Sequence, residues 1–552
     1  MTRERLWLYD TTLRDGQQTQ GVDFSVEDKD RIARALDALG IDYVEGGWPG
    51  ANPTDSGFFA TAPSLGHALM TAFGMTKRAG RSASNDAVLA GVLNAGTPAV
   101  CLVGKSHEFH VRTALGISLE ENLACIRESI AHGVAEGREV LFDAEHFFDG
   151  YRANPGYAFD CLWAAREAGA RWVVLCDTNG GTLPAEIGRV VREVIAAGIP
   201  GAAIGIHTHD DAGMAVAGAL AAVDAGARQI QGTLNGLGER CGNANLVTLI
   251  PTLLLKEPYA GLFEIGVERA ALAGLTRLSR LVDDILNRVP EAGAPYVGAS
   301  AFTHKAGLHA SAVVKDPATY EHVRPEAVGN VRNVPMSNQA GQSNLRERLG
   351  KAGIAVAPGD PRLGEILREV KAREDRGYAY DSAEASFDLL ARRLLGQMPD
   401  FFEVERYRVT VERRMARGEP VTVSEAVVVA RFGTERVLNV SESQDPVTHA
   451  DQGPVNALAR ALAKDLGPYQ ALIADMRLVD FKVRITSGGT EAVTRVLIDS
   501  EDGQGRRWST VGVSANIVDA SFQAVQDAVL WKLVRDGAPV LEARGPGVVL
   551  AG

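Results

Sequence analysis

The sequence predicts an α/β fold: a (β/α)8 TIM barrel in the N-terminal half, then helical linker subdomains and a C-terminal α+β domain. Three observations point to the barrel. Eight short β-rich runs alternate with amphipathic helical stretches over roughly 250 residues, the usual length of such a barrel. The runs are evenly spaced, which suits a closed sheet. No Gly-x-Gly-x-x-Gly pattern follows the first run, which disfavours the alternative of a doubly wound open sheet.

The order of the elements supports this architecture. The β-rich runs lie at 6–10, 43–46, 68–74, 99–104, 139–143, 172–177, 203–208 and 229–233. The clearest helix is Val26–Leu39, whose apolar residues recur on one face. Ser25 and Asp28 are placed to cap its start, and Gly40 is placed to end it. A second helix of the same kind is expected at 185–197.

Size and composition narrow the class of protein. A chain of 552 residues is too long for one ordinary domain, and we predict a barrel at 1–275, linker subdomains at 276–402 and a C-terminal domain at 403–540. A net charge of −12 argues against a surface for nucleic acid or anionic membrane. No apolar stretch is long enough to span a bilayer, no signal peptide is evident, and the five cysteines show no Cys-x-x-Cys pair. We therefore expect a cytoplasmic protein.

The C-terminal part contains an internal βββα repeat. Its first copy is expected at 403–413, 421–432, 435–441 and 454–466, and its second copy at 478–485, 492–499, 507–513 and 515–534. Asn456 and Asn516 lie near matching helix starts, which favours a pseudo-symmetric fold. The Ser-Gly-Gly-Thr run at 487–490 is expected to form a plain turn. We expect this domain to serve dimerisation or regulation.

Polar side chains follow several of the predicted barrel strands. Active sites of such barrels lie at the C-terminal ends of the strands. His207 and His209 end the seventh run two residues apart, so their imidazoles share one face of a strand. Asp15, after the first run, is the obvious carboxylate to complete a divalent-metal site with them. A His-x-His pair alone is as often a pair of satisfied polar contacts, but polar residues at several strand ends together favour a site.

Three motifs resemble the signatures of the acyl-CoA-condensing synthases. They are Asp-Thr-Thr-Leu-Arg-Asp-Gly-Gln-Gln at 10–18, His-Thr-His-Asp at 207–210 and Gly-Leu-Gly-Glu-Arg-Cys-Gly-Asn at 236–243. That family includes the 2-isopropylmalate, homocitrate and citramalate synthases, within the wider barrel metallolyases. Gly-Leu-His at 307–309 and the βββα repeat extend the resemblance to the family's linker and regulatory domain. The stretches 43–50, 143–151 and 176–181 look most like the citramalate synthase branch.

The resemblance implies an enzyme, an acyltransferase that converts the acyl group into an alkyl group on transfer. The citramalate branch condenses acetyl-CoA with pyruvate and water to (R)-citramalate and CoA, a step of isoleucine biosynthesis through 2-oxobutanoate. The first alternative is a 2-isopropylmalate or homocitrate synthase acting on another 2-oxo acid. The second is a metal-dependent C–C lyase or carboxyltransferase on the same barrel, and the third is a non-catalytic barrel that senses a ligand.

The resemblance also implies roles for individual residues. Asp15, His207, His209 and Asn243 would hold a divalent metal ion, Mn²⁺, Mg²⁺ or Zn²⁺. Arg14, Asp143 and Thr178 would bind the substrate. Arg14, Glu145, His309 and Tyr320 would be the catalytic residues.

The implied partners are acetyl-CoA, pyruvate, a second copy of the chain and isoleucine as a feedback inhibitor. In such a homodimer the linker would carry His309 over the barrel mouth of the partner. Two positions depart from the family pattern. Ser311 stands where many relatives have Asp or Asn, and Asp-Ala-Glu at 143–145 replaces Tyr-x-Glu, close to where the side chain of the 2-oxo acid would lie.

Overall fold

The structure is a computed structural model that describes residues 3–335, 342–357, 359–416, 419–445, 454–485 and 492–540. The chain divides into two compact units, Met1–Phe302 with Val323–Arg332 and Thr303–His322 with Asn333–Gly552. The predicted domain limits near 275 and 402 stay a prediction, and the predicted turn at 487–490 lies outside the described residues. Among the helices that are described, none has the length and apolar character needed to cross a membrane.

Eight parallel strands form a closed barrel in the first unit. Strands β1 to β8 are Trp7–Asp10, Tyr43–Gly47, Leu69–Met75, Ala99–Lys105, Glu139–Glu145, Trp172–Asp177, Ile204–Thr208 and Gln229–Gly232. The eighth strand pairs with the first, with Trp7 opposite Gln229, so the sheet has no free edge. The predicted barrel is confirmed, and the open sheet is excluded.

Helices follow the strands and cover the outside of the barrel. The main ones are Val26–Leu39, Pro53–Ala60, Ala87–Leu93, Leu119–Ala135, Phe147–Ala153, Pro155–Glu167, Pro184–Ala196, Ala215–Ala225, Leu246–Leu255 and Leu275–Ile285. The predicted caps of the first helix are present. The Ser25 side chain accepts a hydrogen bond from the Asp28 N–H, and Gly40 ends the helix at a φ of 100°.

Apolar side chains fill the barrel below the C-terminal strand ends. A cluster that includes Tyr9, Tyr43, Phe73, Leu141 and Trp172 comes from five different strands, and each of these side chains is buried. Alternate residues of a barrel strand point inward, so these side chains form the layers of the interior. The barrel is therefore a packed core, and its polar groups collect at one end.

The second unit contains four linker helices and the two βββα copies. The helices are Gly307–Lys315, Gln342–Lys351, Arg362–Asp375 and Glu384–Leu394. Strands β9 to β11 are Glu403–Ala416, Glu419–Phe432 and Glu435–Asp445, followed by the helix Pro454–Lys464. Strands β12 to β14 are Arg477–Ile485, Thr494–Glu501 and Arg507–Ser514, followed by the helix Ile517–Arg535. Each set of three strands forms one antiparallel sheet, so the predicted repeat is confirmed.

The starts of the two repeat helices agree with the sequence prediction. Asn516 caps the second repeat helix by accepting from the Val518 N–H, whereas Asn456 lies within the first turn of Pro454–Lys464. Both asparagines therefore lie near the starts of their helices, Asn516 as the cap and Asn456 inside the first turn. The helix Gln342–Lys351 was not predicted, because its polar sequence shows only a short apolar period.

Candidate functional site

Four predicted ligands converge at the C-terminal end of the barrel. Asp15 comes from the turn after β1, His207 and His209 from the end of β7, and Asn243 from the loop after β8. Asp15 Oδ2 lies 3.2 Å from His207 Nε2, and the Nε2 atoms of His207 and His209 are 3.3 Å apart. Asn243 Nδ2 lies 2.9 Å from Asp15 Oδ2. All four side chains are buried.

Backbone geometry explains how the loop after β8 delivers Asn243. The Asn243 N–H donates to the carbonyl of Gly236, and the loop turns back on itself at Gly242, whose φ is 93°. A Cβ at Gly242 would lie 1.9 Å from the Gly236 carbonyl oxygen, so only glycine fits there. The glycines of this motif therefore place the Asn243 side chain beside the two histidines.

The arrangement fits a divalent metal ion. Ligand atoms about 2.1 Å from a metal lie about 3 Å apart at right angles, close to the 3.2 Å from Asp15 Oδ2 to His207 Nε2 and the 3.3 Å between the two imidazole Nε2 atoms. One ligand atom from each of Asp15, His207 and His209 lies within 4.8 Å of the other two. Asn243 Nδ2 faces the cluster, whereas Asn243 Oδ1 is buried without a hydrogen-bond partner in the part of the chain that the structure describes, so a half-turn of the amide brings the oxygen toward the other ligands. A carboxylate, two imidazoles and an amide oxygen suit Mn²⁺, Mg²⁺ or Zn²⁺.

Electrostatics keep Asp15 and His209 in the forms that bind a metal ion. Burial and the neighbouring His207 lower the pKa of His209 to about 4, so its imidazole is neutral at neutral pH. Burial alone would raise the pKa of Asp15, but the Arg14 guanidinium and His207 hold it well below its usual value. Asp15 is therefore an ionised carboxylate.

Arg14 lies between the metal cluster and a buried carboxylate. Its Nη1 donates to Asp15 Oδ1 at 2.8 Å, and its Nε donates to Glu45 Oε1 at 2.6 Å. The hydroxyl of Tyr9 donates to the other Glu45 oxygen at 2.5 Å. The guanidinium also lies 3.9 Å from the centroid of the Phe73 ring. These contacts fix the guanidinium in one orientation, while Nη2 makes no hydrogen bond within the described residues.

The remaining predicted barrel residues line one cavity of about 450 Å³ together with this cluster. Asp143 accepts from Gln231 Nε2 at 3.1 Å, and burial raises the pKa of its carboxyl. Glu145 Oε2 pairs with Lys105 Nζ at 2.5 Å. Thr178 Oγ1 accepts from the backbone N–H of His146 at 2.8 Å. The structure therefore brings the barrel residues of the predicted site together.

His309 and Tyr320 belong to the second unit. Their rings stack with centroids 4.1 Å apart and an interplanar angle of 26°. Tyr320 is 44% exposed, so the pair lies at the surface of its unit. Their predicted role at the barrel mouth of a partner stays a prediction.

Sequence reasoning missed three buried polar residues around the site. Tyr9 supports Glu45, Gln231 contacts His207, and Lys29 donates to the carbonyl of Leu13 in the turn that carries Asp15. Signals for two of them were present. Lys29 falls on the apolar face of its helix, three residues before Ile32, and Gln231 occupies one of the inward-pointing positions of its barrel strand, alternating with the apolar Ile230.

Comparisons with known proteins place the chain. The HMGL-like family model matches residues 5–281, which is half of the chain. The homocitrate synthase post-HMGL domain-like model matches residues 296–378, and the LeuA allosteric (dimerisation) domain matches residues 381–531. The chain is 46% identical to the (R)-citramalate synthase of Aquifex aeolicus, over 97% of this chain and 98% of that protein.

The chain belongs to the citramalate synthase family. It is also 47% identical to the (R)-citramalate synthase of Synechocystis sp., over 96% of each chain. Identity to the probable 2-isopropylmalate synthase of Methanopyrus kandleri is 33%, over 94% of this chain and 97% of that protein. The family assignment from the motifs is therefore confirmed, as is the prediction of an acyltransferase-type enzyme. The dimerisation-domain match indicates oligomerisation.

Proposed function

We propose that this protein condenses acetyl-CoA with pyruvate and water to give (R)-citramalate and CoA. The observation that carries the proposal is the convergence of Asp15, His207, His209 and Asn243 beside Arg14 at the barrel mouth. Relatives named (R)-citramalate synthase are 45–47% identical to this protein over nearly its whole length. The runner-up, a 2-isopropylmalate synthase, is supported only at lower identity.

The four converging side chains would hold the metal ion, for which we propose Mn²⁺ or Mg²⁺, with Zn²⁺ as the alternative. A bound divalent ion supplies Lewis acidity, which polarises the ketone of a 2-oxo acid. Asp15 contributes the negative charge of the site, His209 contributes a neutral imidazole, and Asn243 contributes a neutral amide. That mixture leaves the site open to a ligand with an anionic carboxylate.

Arg14 would stabilise the charge that develops on the ketone oxygen. Its Nη2 has hydrogens to donate, and Glu45 and Asp15 hold the guanidinium in place through Nε and Nη1. Negative charge on that oxygen is larger in the transition state than in the substrate, so this donation lowers the barrier more than it strengthens binding. Arg14 is therefore proposed as both a substrate-binding and a catalytic residue.

Thr178 would bind the carboxylate of the 2-oxo acid. Its oxygen already accepts a hydrogen bond from the His146 N–H, so its hydroxyl hydrogen is available to donate. We propose that Asp143 also faces the substrate, at the position where the family pattern has a tyrosine. The cavity wall near it includes Phe73, Val103 and Cys176, which suits a small apolar side chain such as the methyl group of pyruvate.

Condensation requires a base to remove a proton from the acetyl methyl group. Glu145 is the proposed carboxylate of the barrel for this step, either directly or by pairing with His309, and Tyr320 would assist. The resulting carbanion attacks the ketone carbon, which forms the new C–C bond. Water then cleaves the thioester and releases CoA, which makes the overall reaction irreversible.

We further propose a homodimer, a place in isoleucine synthesis through 2-oxobutanoate, and feedback inhibition by isoleucine. Support for the first and third comes from the match of residues 381–531 to an allosteric and dimerisation domain. The test is the activity with isoleucine, leucine or valine added. Isoleucine is expected to inhibit most, and activity that none of the three changes would remove the proposal of feedback.

The decisive experiment for the activity measures CoA release from acetyl-CoA with pyruvate, 2-oxoisovalerate or 2-oxoglutarate as acceptor. Pyruvate is expected to give the highest kcat/KM. A different best acceptor would overturn the citramalate assignment and keep the condensing class. Cleavage of a 3-hydroxyacyl-CoA without any condensation would instead support a lyase. An Arg14→Met variant is expected to lose turnover, with Arg34→Met, on an exposed helix face, as the matched control.

A further inference from the structure

A series of buried polar contacts connects His207 of the metal cluster with two residues inside the barrel. The register of β7 and β8 places His207 opposite Gln231. His207 Nδ1 lies 2.8 Å from Gln231 Oε1, and Gln231 Nε2 donates to Asp143 Oδ1 at 3.1 Å. The three side chains are 5%, 1% and 3% exposed, respectively. The other ring nitrogen of His207, Nε2, faces Asp15, His209 and Asn243.

The orientation of the Gln231 amide determines the tautomer of His207. The NH₂ group of Gln231 donates to Asp143, which turns the Gln231 oxygen toward His207 Nδ1. A carbonyl oxygen only accepts, so His207 carries its hydrogen on Nδ1. The lone pair of the imidazole then lies on Nε2, toward the metal cluster.

We propose that Gln231 is a positioning residue that holds His207 in its metal-binding tautomer, and that Asp143 orients Gln231. The inference rests on the proposed metal site. Groups of this kind behind a histidine ligand fix the ring orientation and strengthen the ligand, and their loss typically weakens metal binding by 10–100-fold. Gln231 would act through His207 without touching the metal or the substrate.

The same strand offers a matched control residue. Gln229 lies two positions before Gln231, so both side chains point to the same side of β8. Gln229 is fully buried, yet neither its oxygen nor its nitrogen has a hydrogen-bond partner within the described residues. Replacing Gln229 therefore tests the effect of changing a buried side chain in this strand without breaking a hydrogen bond to a metal-binding residue.

The test measures Mn²⁺ binding to the full-length, metal-free protein by titration calorimetry. Gln231→Met is expected to bind Mn²⁺ about 10–100-fold more weakly than the parent, and Gln229→Met within about twofold of it. Circular dichroism and the melting temperature show whether each variant is folded. ¹⁵N-histidine NMR adds a spectroscopic signature: in the parent the His207 signal is that of an Nδ1–H ring, and in Gln231→Met it moves toward a mixture of tautomers.

Equal Mn²⁺ affinity in the parent and a folded Gln231→Met would overturn the proposal. If Gln231→Met does not fold, Asp143→Asn takes its place. An amide at 143 can face Gln231 with a donor or an acceptor, so weaker Mn²⁺ binding is expected and unchanged binding overturns the proposal. A parent protein that binds no Mn²⁺ would contradict the metal site itself, which is a separate outcome.

Discussion

Replacing Lys29 with methionine is expected to lower the free energy of unfolding of the barrel by about 3–5 kcal/mol. Lys29 is fully buried, and its three ammonium hydrogens meet three acceptors. These are the carbonyl of Leu13 at 2.8 Å, the carbonyl of Gly46 at 3.0 Å and Asp55 Oδ1 at 2.5 Å. The side chain thus joins the turn after β1, strand β2 and the helix Pro53–Ala60.

The magnitude follows from what the substitution leaves behind. Asp55 keeps the Trp48 N–H as a donor, but its carboxylate is only 5% exposed and would lose its counter-ion. Breaking a buried pair by removing one partner is costly because the remaining charge is uncompensated. Asp55→Asn added to Lys29→Met removes that charge, so the double variant is expected to recover part of the loss. Lys29 also holds the turn that carries Asp15, because it donates to the carbonyl of Leu13, two residues before Asp15. Weaker Mn²⁺ binding is therefore expected as well.

The assay is urea unfolding of the barrel followed by fluorescence, with the midpoint shift converted through the m-value. Arg34→Met is the control on the same helix. Its partner Asp30 forms an exposed i,i+4 pair with it, and such pairs contribute little to stability. A Lys29→Met loss no larger than that of Arg34→Met would refute the reasoning.

Three further variants test other parts of the account. Burial raises the pKa of Asp10 to about 7, so its contribution to stability is present at low pH and is lost as pH rises through about 7. Asp10→Asn should therefore gain stability relative to the parent as pH rises, by up to about 4 kcal/mol, measured by urea unfolding across pH; an equal pH dependence would contradict this. Tyr9→Phe removes a hydrogen-bond donor to buried Glu45. In the CoA-release assay it should lower kcat, by a factor equivalent to about 1–3 kcal/mol of activation free energy, with KM nearly unchanged. A change in KM alone would count against this prediction. Arg240 donates to the carbonyl of Thr178 at 2.7 Å, so Arg240→Met should raise the KM for the 2-oxo acid by a factor equivalent to about 1 kcal/mol, and an unchanged KM would remove this role.

Local signals were enough to predict the barrel. The helix Val26–Leu39 carries its apolar period, its capping box and its terminal glycine within sixteen consecutive residues, from 25 to 40. The alternation of such helices with short β-rich runs then determines the architecture. The helix Gly307–Lys315 was missed because nothing in the nine residues of its sequence gives a strong period or a side-chain cap.

The metal cluster was predictable for a different reason. Asp15 and His207 are far apart in sequence, but a barrel brings all its C-terminal strand ends to one face. The residue types and their positions after the predicted strands were therefore enough to predict that they lie together. The contacts behind them were not predictable. Which side chain meets Nδ1 of His207 depends on the register of β7 against β8, and the partners of Glu45 depend on the rotamers of Arg14 and Tyr9. Register and rotamers are set by packing across the whole barrel.

The most direct test of the central claim is the stoichiometry of bound metal. Metal-free protein is dialysed against Mn²⁺ and analysed for metal, in parallel for the parent, Asp15→Ala, His209→Ala and the control His132→Ala on the outer helix Leu119–Ala135. One ion per chain is expected in the parent and in His132→Ala, with both metal and CoA release lost in the other two variants. Stoichiometric metal and full activity in Asp15→Ala or His209→Ala would contradict the account.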